Sequence, residues 1–214
     1  MSGIVNPGAH RGVQVVGIAG PVGAGKSTLV RALAAALGDT TTLQFDHFER
    51  MTERPIEEVM RWMRDGADLD QVPVPGLADA LEALKAGRAA TDPLTRAQLQ
   101  PAACVLFETQ FGRRHTASGR EIDFLVWIDV PLDVALARKV RQLLRVATAG
   151  DAQGARAFLP WLEGYLDNYL GVVGELLRVQ RETVAAGADL IVDGQAAPQE
   201  MALRVAQALV ARRP

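Results

Sequence analysis

The sequence predicts one α/β domain, a five-stranded parallel sheet with helices on both faces, and three observations carry that expectation. Five short runs rich in β-branched and apolar residues (13–19, 41–45, 102–108, 124–130 and 190–192) have the length and composition of sheet strands. Segments with apolar residues at helical spacing alternate with them, which is the pattern of a parallel sheet covered on both sides. No repeat, low-complexity tract or linker interrupts the 214 residues, a length sufficient for one domain with a sizeable core.

Residues 1–12 mix Gly, Pro, Asn, His and Arg without a hydrophobic stretch, and read as a flexible tail rather than a signal peptide. The domain is expected over 13–214. Residues 13–19 (VQVVGIA) form the first strand, broken by residues 20–25; helical spacing then resumes through Leu29, Leu33 and Leu37, and Gly38 is placed to end that helix. The strand at 41–45 runs into Asp46, His47 and Phe48. Pro55 opens a helix over 56–64, closed by Asp65 and Gly66, and a Pro-rich connector at 72–75 leads into a helix over 77–85, closed by Gly87. The third and fourth strands, AACVLFE and FLVWIDV, precede a helix over 132–145 with a basic face. Residues 155–186 carry an apolar stripe at helical spacing that Gly164, Gly171 and Gly174 can bend. That stripe, strongest over 158–177, suits either a core or a homodimer face. The last strand and a helix over 199–211 close the chain.

Composition excludes several classes. A formal charge of −2 with no block of like charges offers nothing electrostatic to nucleic acid or to a membrane surface. No apolar run approaches the ~18 residues of a membrane span. The single cysteine, Cys104, lies inside a strand and excludes a disulfide framework, so a reducing, cytoplasmic setting is expected.

The chemistry is concentrated in Gly20-Pro21-Val22-Gly23-Ala24-Gly25-Lys26-Ser27, which fits G-x-x-x-x-G-K-[ST] at every fixed position, after a strand and at the start of a helix. Glycines let backbone N–H groups turn inward around a phosphate, and the helix that starts near Lys26 aims its free N–H groups at the same anion. Lys26 can bridge β- and γ-phosphates, the Ser27 hydroxyl can ligate Mg²⁺, and Thr28 extends the cradle. The expected fold is thus a P-loop NTPase domain, with ATP and Mg²⁺ as cofactors.

Three features direct this toward phosphoryl transfer. No N-K-x-D tetrapeptide occurs, so the guanine-reading loop of ordinary GTPases is missing. Asp46 follows the second strand, at the carboxyl edge of the sheet beside the phosphate loop, where it can accept the proton of an attacking hydroxyl. A carboxylate suffices there because the transition state is loose and positioning matters more than basicity. Arg138, Lys139, Arg141 and Arg145 put several cations on one helical segment, with Arg138 and Arg141 the expected catalytic pair. Guanidiniums in a lid segment near 138–156 would neutralise transition-state charge and exclude water.

These residues resemble the uridine kinase, phosphoribulokinase and bacterial pantothenate kinase group of P-loop kinases over nearly the whole chain. GIAGPVGAGKSTLVRAL is similar to that group's phosphate loop, and LQFDHFER to the segment in which an Asp and an aromatic follow the second strand. LADALEALKAGRAATDPLTRAQLQPAACVLFE resembles the succession of helix, Pro-containing hairpin and strand ending in an acid, here Glu108. DFLVWIDVPLDVALARKVRQLLR resembles the strand and lid helix. A nearer likeness is to a bacterial uridine kinase-like branch, in which the third strand is followed by an acid, Phe-Gly-Arg and a His, here Glu108 to His115. The chain departs from uridine kinases in placing Thr109 after the acid, in its sparser lid arginines, and in the hairpin segment Asp92-Pro93-Leu94-Thr95.

The resemblance implies Asp46 as base and Glu108 as a residue for magnesium or substrate. His47, Arg113 and Arg114 are candidate substrate contacts, His115 clusters with the two arginines, and Asp129 reads as joining elements. Trp161, Tyr165 and Tyr169 read as core. The expected activity is ATP- and Mg²⁺-dependent phosphorylation of a hydroxyl on a small nucleoside- or sugar-like metabolite. The alternative is a nucleotide-dependent switch, or a binding-only ATPase, without such an acceptor.

Overall fold

The computed structural model describes residues 13–149 and 152–212. The expected tail at 1–12, residues 150 and 151 within the lid segment, and the last two residues lie outside the described part. Five strands form the main sheet: β1 (Gln14–Ala19), β2 (Thr40–Gln44), β5 (Cys104–Glu108), β6 (Phe124–Asp129) and β7 (Leu190–Asp193). They run parallel in the order β2-β5-β1-β6-β7. A two-residue antiparallel pair, β3 (Ala90–Thr91) and β4 (Gln98–Leu99), is the hairpin between β2 and β5.

Register explains where the chemistry collects. Ile18 on β1 and Gln44 on β2 both align with Glu108 on β5, so three strands end at one level. The chain leaves β1 there into the phosphate loop, β2 into Asp46 and β5 into Gln110. The central strands are buried on both faces, with Val15, Val16, Ile18, Val105, Leu106, Phe107, Leu125 and Val126 fully inaccessible. On one face pack α1 (Lys26–Leu37) and α8 (Pro198–Ala211), through Leu29, Leu33, Val205 and Leu209. On the other pack Phe45, Phe48, Met51 and helix α3 (Leu77–Lys85), whose Leu77, Leu81 and Leu84 are fully buried. Burying each such side chain is worth about 1.5–3 kcal/mol, so both layers are strongly specified.

The remaining helices are α2 (Ile56–Arg64), the single turn α4 (Thr116–Gly119), α5 (Leu132–Thr148), α6 (Ala152–Asn168) and α7 (Gly174–Ala185). A π-helical turn, Tyr169–Val173, connects α6 to α7 without leaving helical dihedrals. The apolar stripe, expected as either a core or a dimer face, is half-buried at Phe158, Leu162, Leu166, Val173 and Leu177, and Trp161, read as core, is exposed. The reason is that α6 packs on α5 rather than on the sheet, leaving its outer side to solvent.

Candidate active site

The phosphate loop is shaped by two glycines. Gly25 caps α1 with φ 97°, a left-handed conformation that turns the chain into the helix. Gly23 has φ 85° and lies against the first turn of α5; a Cβ there would sit 2.1 Å from the Ala135 carbonyl oxygen. Loop and basic helix are thus packed together at a point where no side chain fits. Ala24 is buried beneath the loop, whereas Val22, Gly23, Gly25, Lys26, Ser27 and Thr28 line an open cavity of about 720 Å³.

Lys26 is 9% exposed, and its ammonium donates to the carbonyls of Gly20 (3.0 Å) and Pro21 (3.3 Å). Burial pulls its pKa below the ordinary lysine value, Glu108 and Asp46 oppose the fall, and Lys139 adds to it. The cation is therefore held in place ahead of any anion. Across the cavity the Ser27 hydroxyl donates to Glu108 Oε1 at 2.9 Å. A hydroxyl and a carboxylate in contact suit Mg²⁺, which takes few protein oxygens and completes its shell with water and phosphate.

Asp46 sits in a 3-10 turn, Phe45–His47, anchored by buried Phe45. Its Oδ1 accepts a hydrogen bond from Gln110 Nε2 at 2.9 Å, so the strand-end turn of β2 is tied to the segment after β5. Arg138, Lys139 and Arg141 on α5 line the same cavity, and Arg138 Nη1 also donates to the Gly194 carbonyl at 2.8 Å. Arg145, farther along α5, does not line it.

Several expected substrate contacts are placed elsewhere. The Arg113 guanidinium pairs with Asp189 at 2.6 Å and donates to the carbonyls of Ile122, Asp123 and Gly187. It pins the ends of β6 and α7 together and lines neither this cavity nor the neighbouring one, which corrects the expectation for it. His47 Nδ1 lies 2.6 Å from Asp92 Oδ2, and the other oxygen of Asp92 accepts from the N–H groups of Leu94 and Thr95 in the hairpin turn. This histidine is a strut from the turn that carries Asp46 to the hairpin. His115 is 2% exposed, bonds to Ser118 and meets Phe45 edge-on, so it too is structural. Arg114 lines a second cavity beside the first. Asp129 forms a two-pronged pair with Arg181 (2.7 and 2.8 Å), joining β6 to α7.

Two tyrosines read as core instead line the phosphate cavity: Tyr165 and Tyr169. Tyr165 stacks on Trp161 (centroids 5.5 Å apart, 18° between planes), and Trp161 on Phe158. Apolar periodicity does not separate an aromatic facing a cavity from one facing a core. Their four-residue spacing with Val173 and Leu177 is the one signal that could have shown a common row. Among the described residues no group of three or more His, Cys, Asp or Glu is arranged to hold a metal, and no helix is long and apolar enough to cross a membrane.

No family profile matches the chain, and no curated protein does. Among solved structures, it is similar to a possible uridine kinase from Bacillus stearothermophilus, with a TM-score of 0.57 over 86% of this chain and 91% of that one, at 16% identity. A sugar kinase from a Janibacter species matches with a TM-score of 0.50 over 94% of this chain and 96% of that one, also at 16% identity. The five-stranded parallel sheet and the phosphate loop at its edge give the chain a single-domain P-loop NTPase fold, and its overall fold is shared with these two solved structures.

Proposed function

We propose that the protein transfers the γ-phosphoryl group of ATP to a hydroxyl on a small metabolite. The observation that supports this most directly is the convergence of Lys26, Ser27, Asp46, Glu108, Arg138 and Arg141 on one cavity. A nucleotide switch needs the first two of these; a carboxylate held at the rim by Gln110 and facing basic residues is what an acceptor alcohol requires.

The roles follow from position. The N–H groups of residues 23–28 and the start of α1 receive the β- and γ-phosphates. Lys26 spans them, and its burial in a low-dielectric loop strengthens that attraction. Ser27 and Glu108 would hold Mg²⁺, which supplies charge neutralisation on the phosphate oxygens when bound. Asp46 orients the acceptor hydroxyl and takes its proton as the oxygen–phosphorus bond forms and the bond to the ADP oxygen breaks. Arg138, Lys139 and Arg141 offset the charge on the transferring group, and Tyr165 and Tyr169 shield it from water.

The test is ADP release from ATP and Mg²⁺ in the presence of nucleosides, sugars, pantothenate and amino alcohols. Asp46→Asn is expected to lower acceptor-dependent turnover about 10²- to 10⁴-fold with ATP affinity kept, the range for loss of a general base. Unchanged turnover in that variant would refute the role of Asp46, and ATP binding without stimulation by any acceptor would favour the switch or binding-only reading. The nucleoside- or sugar-like class rests on sequence resemblance alone and is one arm of that panel.

A further inference from the structure

A second cavity of about 300 Å³ opens beside the phosphate site, outside the roles assigned to Lys26, Asp46 and the cations of α5. It is at the small end of ligand pockets, which run from ~300 to ~1,000 Å³. Its walls are Trp62 and Met63 at the end of α2, Phe111 after β5, and Leu176 and Val184 on α7. Val22, Gln110, Val173 and Leu177 line both cavities, so the two spaces meet at the phosphate loop.

The polar side chains in these walls fall into two groups. Trp62 donates to the Asp68 carbonyl at 3.0 Å, and Thr183 to that of Val179 at 2.8 Å. Gln110 donates from its amide to Asp46, and Gln180 to the Gln110 carbonyl. Arg114 stands apart, because its guanidinium makes no hydrogen bond or ion pair among the described residues. Asp70 feels its charge, but both oxygens of Asp70 accept from Thr116, from the N–H and the hydroxyl, at 2.7 Å each. Arg114 is exposed, so its unpaired donors stand at the mouth of the cavity.

The turn that carries Arg114 is fixed in place. Residues Gly112–Arg114 form a single 3-10 turn, entered through Gly112 at φ 52°. A Cβ on Gly112 would lie 2.8 Å from Val184, so the turn is pressed against α7. Arg113 is held on Asp189 at one side. Successive residues of a 3-10 turn point ~120° apart, which sends Arg114 to the cavity instead.

We propose that this cavity receives the body of the phosphoryl acceptor, and that the acceptor is a hydroxy acid with an apolar body, its hydroxyl at Asp46 and its carboxylate on Arg114. A guanidinium presents its N–H donors in a planar fork, which a carboxylate meets with two parallel hydrogen bonds. Arg114 is the one cationic side chain among the described residues of this lining, so it matches a single negative charge and not a phosphate dianion. A neutral sugar would leave the guanidinium unpaired and set hydroxyls against Phe111, Leu176 and Val184, which accept no hydrogen bond from them. The inference rests on the kinase reading for the end at which the hydroxyl lies, but the charge preference of the cavity can be measured without turnover.

The experiment titrates the full chain calorimetrically with para-(hydroxymethyl)phenylacetate and with its amide, which has the same shape and no charge. ADP release from ATP and Mg²⁺ is followed with each, and with uridine and glucose. The acid is expected to bind about tenfold more tightly than the amide, as one charge-assisted pair provides. Arg114→Met, which keeps an apolar stem, should bring the two within about twofold of each other, and Leu176→Trp should abolish binding of both by filling the cavity. A fluorescent ATP analogue should bind either variant within about twofold of the unmodified chain, since neither residue lines the phosphate cavity. Equal binding of acid and amide, no binding of the acid, or a preference for the acid that survives Arg114→Met would each overturn the proposal. Acid binding that needs Arg114 but releases no ADP would sustain the charge-selective cavity and count against the kinase reading. ADP release with uridine or glucose alone would do the reverse.

Discussion

The contact between the phosphate loop and α5 can be isolated by two substitutions of the same kind, Gly23→Ala and Gly25→Ala. Both residues have left-handed dihedrals, φ 85° and 97°, in which an L residue costs about 1–2 kcal/mol. Both gain equally from a stiffer unfolded chain, so that term cancels in the comparison. They differ in surroundings. A Cβ on Gly25 meets nothing within 4 Å, whereas one on Gly23 lies 2.1 Å from the Ala135 carbonyl oxygen and 2.8 Å from its carbon. Ordinary contacts between carbon atoms lie near ~3.5 Å, so the loop or α5 must move by more than about 1 Å. Overpacking of that order costs about 1–3 kcal/mol. For a domain of this length each kcal/mol is worth about 2–4 °C, so Gly23→Ala should melt roughly 2–12 °C below Gly25→Ala. The assay is calorimetric melting of the two variants free of nucleotide. If Gly23→Ala melts at or above Gly25→Ala, the loop does not rest on α5 and the argument fails.

Two further outcomes are expected. Arg113→Ala should destabilise the fold by about 1–3 kcal/mol, the loss of its bonds to Asp189 and three carbonyls, with acceptor KM unchanged; a KM defect without loss of melting temperature would contradict the pinning role. Stability should also fall as pH drops below the ordinary histidine value of 6.5, because burial holds the pKa of His115 lower in the fold, against the pull of Asp70. The unfolded chain then takes the proton first, so the contribution of His115 is complete above that value and is lost beneath it. Melting followed from pH 8 to pH 5 checks this, and a His115→Asn variant with the same slope would refute it.

The strands and helices were legible because each answers a short-range rule. Continuous apolar runs became β1, β5 and β6, and the helices over 56–64 and 77–85 begin and end where proline and glycine punctuate the sequence. The phosphate loop was legible for the same reason, all its parts being adjacent. What escaped depends on pairs distant in sequence. Nothing near Arg113 shows that Asp189 stands opposite it, and nothing near His47 shows Asp92. A cationic cluster such as Arg113, Arg114 and His115 therefore looked like one surface, although the fold sends its three side chains in different directions. Gln110 and Gln180 carried no signal at all, because a glutamine acquires a role only from the backbone and carboxylate it meets.

The π-helical turn at Tyr169–Val173 has a consequence for how this protein can be altered by gain or loss of residues. An α-helix advances ~100° per residue, so a row spaced by four residues drifts around the axis by ~40° per step. A stretch with i→i+5 bonds advances less per residue and checks that drift. Residues 165, 169, 173 and 177 thus stay on one flank long enough to pass from the phosphate cavity to the apolar one. The turn holds one residue more than an α-helix of the same rise would need. Deleting one residue there would restore α geometry and leave Gln180 and Val184 near their present phase relative to Tyr165, whereas deleting one residue from the first turn of α7 would swing them by ~100°.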